Sequence, residues 1–125
     1  IGILAAVAIP QYSSYVVRAR VTEVLSLVAK AQLIVVDNAN FGSQFNFGWE
    51  PVVPNDNVLA VDIAANGVIT ATLGRDIGLT DTLVYVPTSA GVGLVPGTIP
   101  AAAVVWSCDA AASTLNPSHR PTDCR

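Results

Sequence analysis

The sequence predicts an α+β chain: a long N-terminal helix packed on a four-stranded antiparallel sheet, closed by a C-terminal disulfide loop. Three observations predict it. Apolar residues recur at spacings of three and four through the first third of the chain. Short β-branched runs, separated by Gly, Pro and Asn, follow them. The two cysteines, Cys108 and Cys124, stand close to the C-terminus. At 125 residues there is length for one domain and not for two.

Residues 1–37 read as the helix. Residues 1–9, IGILAAVAI, are wholly apolar. At about 1.5 Å per residue they cover roughly half of the ~30 Å hydrocarbon core of a bilayer, which fits the second half of a span rather than a whole one. Pro10 removes one helical hydrogen bond and is expected to kink the rod. Beyond it the pattern becomes one-sided. Val17, Val21, Val24, Val28, Ala31 and Val35 form a stripe that Leu25 and Leu27 widen, whereas Arg18, Glu23, Lys30 and Gln32 lie off it. A helix greasy all round and then one-sided predicts two environments. Residues 1–15 are expected to protrude into lipid or among like helices, and residues 16–37 to pack on a folded head. Helices in globular proteins average about 11 or 12 residues, so a single helix of about 37 is itself informative.

Residues 38–125 are expected to form the head. Residues 38–57 read as a loop rich in Asn, Gly and Pro, and the four aromatics within it, Phe41, Phe45, Phe47 and Trp49, predict a loop that packs down on the core. The sheet is expected within 58–107. Strands over 58–64 and 68–73 flank Asn66-Gly67, a strong hairpin signal. A third strand over 83–86 is expected to end at Pro87, residues 88–100 read as a loop, and residues 102–108 as the fourth strand. Residues 108–125 form a polar, irregular tail. Two cysteines and one histidine are too few for a structural zinc site, so a Cys108–Cys124 disulfide is the better reading. It places the head in the periplasm or outside the cell.

Composition narrows the function classes. The chain is 52% hydrophobic and 12% charged, with mean hydropathy +0.55. Soluble domains carry about a quarter charged residues, so the apolar excess calls for a membrane, a partner subunit or both. The net charge is −3 and the six basic residues are scattered, so no direct nucleic-acid binding is expected. Asp56, Asp62, Asp76 and Asp81 lack the spacing of a calcium loop. His119, the single histidine, lies in a polar loop with no nucleophile motif beside it. Gly91, Gly93 and Gly97 do not stand between a strand and a helix, and Asn116-Pro117-Ser118 carries proline where a glycosylation sequon forbids it. No catalytic, cofactor or metal site is predicted, and the chain is not expected to be an enzyme.

The run IGILAAVAIPQYSSYVVRARVTEVL resembles the N-terminal helix of type IV pilins, nearly residue for residue from Ile1 to Pro10, with Tyr12 and Tyr15 where that family often has aromatics. Trp106-Ser107-Cys108 and Pro121-Thr122-Asp123-Cys124-Arg125 resemble the C-terminal motifs of the type IVa subgroup. The family's cleavage site, methylated first residue and acidic residue would all fall before Ile1, so the resemblance implies a short mature segment and a leader ahead of this chain. It also implies a subunit cut and methylated by a prepilin peptidase, held in the inner membrane, and drawn by pilus assembly machinery into a helical homopolymer on the cell surface. That polymer would serve adhesion, twitching motility or DNA uptake. Ile1, Gly2, Ile3, Leu4, Ala5, Ala6, Val7, Ala8, Ile9, Pro10, Tyr12 and Tyr15 would form the helix–helix assembly segment, with the helix melting between Gly2 and Pro10. Exchanging lipid for neighbouring helices costs little, because both surroundings are apolar, and the small residues Gly2, Ala5, Ala6 and Ala8 allow close approach. The alternatives are a type II secretion pseudopilin, against which the Cys108–Cys124 ending argues, and a minor pilin.

Overall fold

A computed structural model describes the backbone of residues 2–125 and the side chains of residues 15–125. One helix, α1 (Gly2–Asn40), precedes five strands: β1 (Val58–Ile63), β2 (Ile69–Leu73), β3 (Thr82–Ser89), β4 (Val92–Gly93) and β5 (Val104–Cys108). Two single-turn 3-10 helices, Pro117–His119 and Thr122–Cys124, close the chain.

The stripe read from the sequence is the packed face of α1. Val21, Val24, Val28, Ala31 and Val35 are each at most 3% exposed, and Val17, Leu25 and Leu27 pack partly against the same core. The helix runs through Pro10 as one element and ends at Asn40, three residues past the predicted end. Ala39 explains the extension, since it continues the stripe four residues after Val35 and is fully buried. Gly42, at φ +67°, then stops the helix. The Ser43 N–H donates to the Asn38 carbonyl and the Gly42 N–H to the Ala39 carbonyl, the paired bonds of a Schellman cap.

All strand pairings are antiparallel: β1 with β2, β2 with β3, and β3 with both β4 and β5. The predicted hairpin forms at Asn66-Gly67, but only Gly67 takes positive φ, at +84°. The Gly67 N–H donates to the Ala64 carbonyl and the Asn66 side chain accepts from the Val68 N–H, so the turn is longer than a two-residue type I′ turn.

β3 passes through Pro87 instead of stopping there. Val84 turns both its N–H and its carbonyl towards the β5 side, bonding Ser113 and Asp109. By alternation Pro87 faces the β2 side. Ile69, the first residue of β2, lies opposite Tyr85, so β2 has already run out there and no ladder bond is lost. Thr88 and Ser89 pair with β5 and also with β4, a two-residue strand inside the loop predicted over 88–100.

The core lies between α1 and one face of the sheet. Burial alternates along β2 and β3, placing Ile69, Ala71, Leu73, Leu83, Tyr85 and Pro87 under the helix. Fully burying a side chain such as Ile69, Leu73 or Leu83 is worth about 1.5–3 kcal/mol.

Candidate functional site

Three regions emerge from the fold: the N-terminal end of α1, the segment between α1 and β1, and the C-terminal loop. Cys108 ends β5 and Cys124 lies in the last 3-10 turn; they form a disulfide with Cα atoms 5.0 Å apart. The loop they close is built around Arg120, which is only 8% exposed. Its guanidinium donates to the carbonyls of Leu115 and Ser113 (2.6 Å), and to those of Ala110 (3.1 Å) and Cys124 (3.4 Å). Among the described residues its hydrogen-bond acceptors are all backbone carbonyls, and the planar fork of arginine suits such a ring of acceptors. Arg18 on α1 donates to the Ser118 carbonyl at 3.0 Å, tying the loop to the helix. His119 ends the first 3-10 turn, half-buried, and its ring makes no hydrogen bond among the described residues. No group of three His, Cys, Asp or Glu side chains among the described residues is placed to hold a metal ion.

The four aromatics of residues 38–57 do not share one fate. Phe45 is buried and Trp49 packs partly against the core, whereas Phe41 and Phe47 are exposed, at 77% and 72%. The expectation that the loop packs down holds for half of them. The buried Asn38 amide donates to the carbonyls of Phe45 (3.0 Å) and Phe47 (2.9 Å), which fixes the loop's exit from the helix. The Trp49 indole donates to the Val61 carbonyl at 2.9 Å, covering the outer edge of β1. Between this segment and α1 lies an open groove of about 790 Å³, lined chiefly by Leu27, Leu33, Ile34, Trp49, Val52 and Val53, which no pattern in the sequence announced.

At the other end of α1, the backbone of residues 2–14 is helical, while Ile1 and the side chains of the first 14 residues lie outside the described part. Of the expected assembly residues only Tyr15 has a described side chain, and it is 69% exposed. Among the described residues no helix is long and apolar enough to cross a membrane.

The family model for pilins, subunits of bacterial filaments, matches residues 17–125. The chain belongs to the pilin family. The match starts after the IGILAAVAIP run, so it rests on the packed part of α1 and the head rather than on the N-terminal motif. A relative, the type IV major fimbrial protein FimA of Dichelobacter nodosus, is 30% identical over 145 aligned positions, covering all of this chain and 86% of the relative. An alignment longer than the 125 residues of this pilin means that the two differ by insertions. No solved structure matches. A type IV pilin is a subunit of a self-assembling filament on the cell surface and not an enzyme, which agrees with the order of elements here: one long helix, an antiparallel sheet and a C-terminal disulfide.

In this pilin the polar side of α1 is fastened to loops of the head. Arg20 pairs with Asp76 at 2.7 Å and donates to the Asn57 side chain, whose amide in turn donates to Glu23 at 2.6 Å. Arg75 pairs with Asp56 on the surface. That pair raises the Arg75 guanidinium pKa, through the Asp56 hydrogen bond first and the charges of Asp56 and Asp76 next. The Tyr85 phenol is pushed up to about 12, by burial first and by the charge of Asp123 second.

Proposed function

We propose that this pilin is the major structural subunit of a type IV pilus and that residues 1–15 are its assembly segment. One observation carries the reading. Packing of α1 against the head begins at Val17 among the described side chains, yet the helix extends to Gly2. At 1.5 Å per residue that is roughly 20 Å of rod ahead of the packed part. Its sequence, from Gly2 to Ile9, contains no charged or polar side chain.

Such a rod sits equally well in lipid and among copies of itself. The proposal therefore includes an inner-membrane pool before assembly, processing by a prepilin peptidase, and extraction by the pilus assembly machinery into a homopolymer whose helices lie inside and heads outside. Gly2 and Pro10 weaken the helix between them, and melting there on assembly would let the fibre stretch. The filament would serve adhesion, twitching motility or DNA uptake. In uptake this subunit is not expected to contact DNA directly, because its few basic residues are dispersed and Arg20, Arg75 and Arg120 are engaged within the chain.

The test is electron microscopy of filaments sheared from native cells, with mass spectrometry of their protein. Long thin filaments made mainly of this chain are expected, and their helical map should show the backbone unwound between Gly2 and Pro10. A chain that stays with the envelope, or forms a trace component of the filaments, would overturn the major-subunit reading in favour of a pseudopilin or a minor pilin.

A further inference from the structure

Polar contacts between α1 and the head gather where the helix enters it. Arg18 donates to the Ser118 carbonyl at 3.0 Å. Arg20 pairs with Asp76 at 2.7 Å and donates to the Asn57 side chain at 3.1 Å, and the Asn57 amide donates to Glu23 at 2.6 Å. Between Glu23 and Asn38, no α1 side chain makes a hydrogen bond or ion pair with the head among the described residues. The partners are themselves held. Ser118 belongs to the loop closed by the Cys108–Cys124 disulfide and by Arg120. Asn57 and Asp76 lie on two segments that bond each other: the Gly74 N–H donates to the Asn57 carbonyl and the Asp76 N–H to the Asp56 carbonyl, both at 2.9 Å. These two backbones run so close that Gly74 has no room for a Cβ beside the Asp56 carbonyl.

We propose that these contacts form a collar that keeps α1 helical from Arg18 onwards when a filament is pulled, and so limits how far each subunit extends. The proposal rests on the reading above, in which the helix melts between Gly2 and Pro10 and the fibre stretches. Side chains two residues apart point about 200° apart on a helix but to the same side of an extended chain. Arg18 and Arg20 can therefore hold their separate loops together only while this turn stays helical. Melting that advances from Pro10 must break one grip or both. Apolar packing is a weaker stop at this level. Val17 is only partly buried, and the first buried side chain of the stripe is Val21. Apolar contact is also non-directional, so it tolerates sliding, whereas a hydrogen bond is lost over a small displacement or rotation. The collar groups are exposed or nearly so, Arg20 and Asp76 by 39% and 37%, and add little to the stability of the unloaded head.

The experiment compares single-fibre force–extension curves of filaments from the unaltered chain, from the double variant Arg18→Ala with Arg20→Ala, and from Asp76→Ala. The melting temperature of the detergent-extracted pool and the helical parameters of unstretched filaments are measured alongside. Alanine is the best helix former, so extra melting in the double variant comes from the lost contacts and not from the altered helix. Asp76→Ala leaves the sequence of α1 as it is. Without the collar, melting is expected to run on through Arg18–Glu23 to the fully buried Val24. Each melted residue lengthens from about 1.5 to about 3.4 Å, so the double variant should extend by roughly 12 Å more per subunit, and Asp76→Ala by part of that. Melting temperature and unstretched helical parameters are expected to stay the same. Extension equal to that of the unaltered filament in both variants overturns the collar, leaves packing alone to set the limit, and lets the filament reading stand. Longer extension with a lowered melting temperature overturns it too, since a weakened head would unravel without any collar. So do variants that fold but form no filaments, because the contacts would then serve assembly. If the unaltered filament does not extend, or the unaltered chain forms none, the collar falls together with the reading it rests on.

Discussion

At the scale of single residues, the C-terminal loop depends on Arg120 as much as on its disulfide. Replacing Arg120 with alanine leaves the carbonyls of the buried Leu115 and Ser113 without this donor, and that of the exposed Ala110 to water. Unpaired buried acceptors cost about 1–3 kcal/mol each before relaxation, so Arg120→Ala is expected to destabilise the head by about 2–4 kcal/mol. Arg120→Lys should recover less than half of that, because a point charge cannot reach carbonyls spread around a planar fork. Thermal unfolding of the detergent-extracted chain reads both. Tyr85 gives a second test. Its raised pKa means that the folded state keeps the phenol proton after the unfolded chain has lost it. The Tyr85 contribution is therefore complete below the unfolded value near pH 10 and is lost as pH rises towards about 12, by at most about 3 kcal/mol. Tyr85→Phe should flatten the stability profile over that interval and remove the tyrosinate absorbance change near pH 12. The disulfide was legible in the sequence because the chain holds two cysteines and nothing else to bind with them. The role of Arg120 was not. Its acceptors come from four backbone positions between Ala110 and Cys124, and no spacing of side chains records where carbonyls point.

At the scale of elements, what could be read depended on whether a local pattern or a distant partner decided the outcome. The buried stripe of α1 follows from periodicity alone, and the hairpin from Asn66-Gly67. The true end of α1 was also written locally, in Gly42, but Asn38 and Asn40 read as the start of the Asn-rich loop, whereas the Asn38 amide serves that loop from within the helix. Pro87 failed as a strand terminator because its tolerance depends on where β2 ends, which is a property of the pairing and not of β3. Phe41 and Phe47 matched Phe45 and Trp49 in type but not in fate, since a loop without a period gives no face to assign. Pro10 carries the prediction at this scale. Proline in a helix interior costs about 3 kcal/mol and leaves the carbonyl four residues earlier without its donor. Pro10→Ala should stiffen the segment proposed to melt. Filaments of that variant are expected to assemble and to extend less under a given load in single-fibre force measurements. Extension equal to that of the unaltered filament would remove Pro10 from the melting segment.

At the scale of the whole molecule, the proposed assembly segment in the first turns of α1 and the folded head would have separate roles, and their failures should be separable. The head's stability comes from the α1 stripe against the sheet, together with a disulfide closing a loop over a sequence separation of 16, worth about 3 kcal/mol on the chain-entropy view. Assembly is proposed to draw on the residues that precede Val17. A charge introduced early in α1, as in Ala5→Asp, should therefore leave the unfolding midpoint of the detergent-extracted chain unchanged and abolish filaments, because a bare carboxylate among bundled helices has no partner and no water. Replacing both Cys108 and Cys124 with serine should do the reverse. The midpoint falls by the amount that about 3 kcal/mol represents, while the filaments that form keep the same helical parameters, since neither cysteine lies on the assembly segment. A cysteine-free filament of altered symmetry would place the C-terminal loop within the packing of neighbouring heads, and the separation of the two roles would have to be given up.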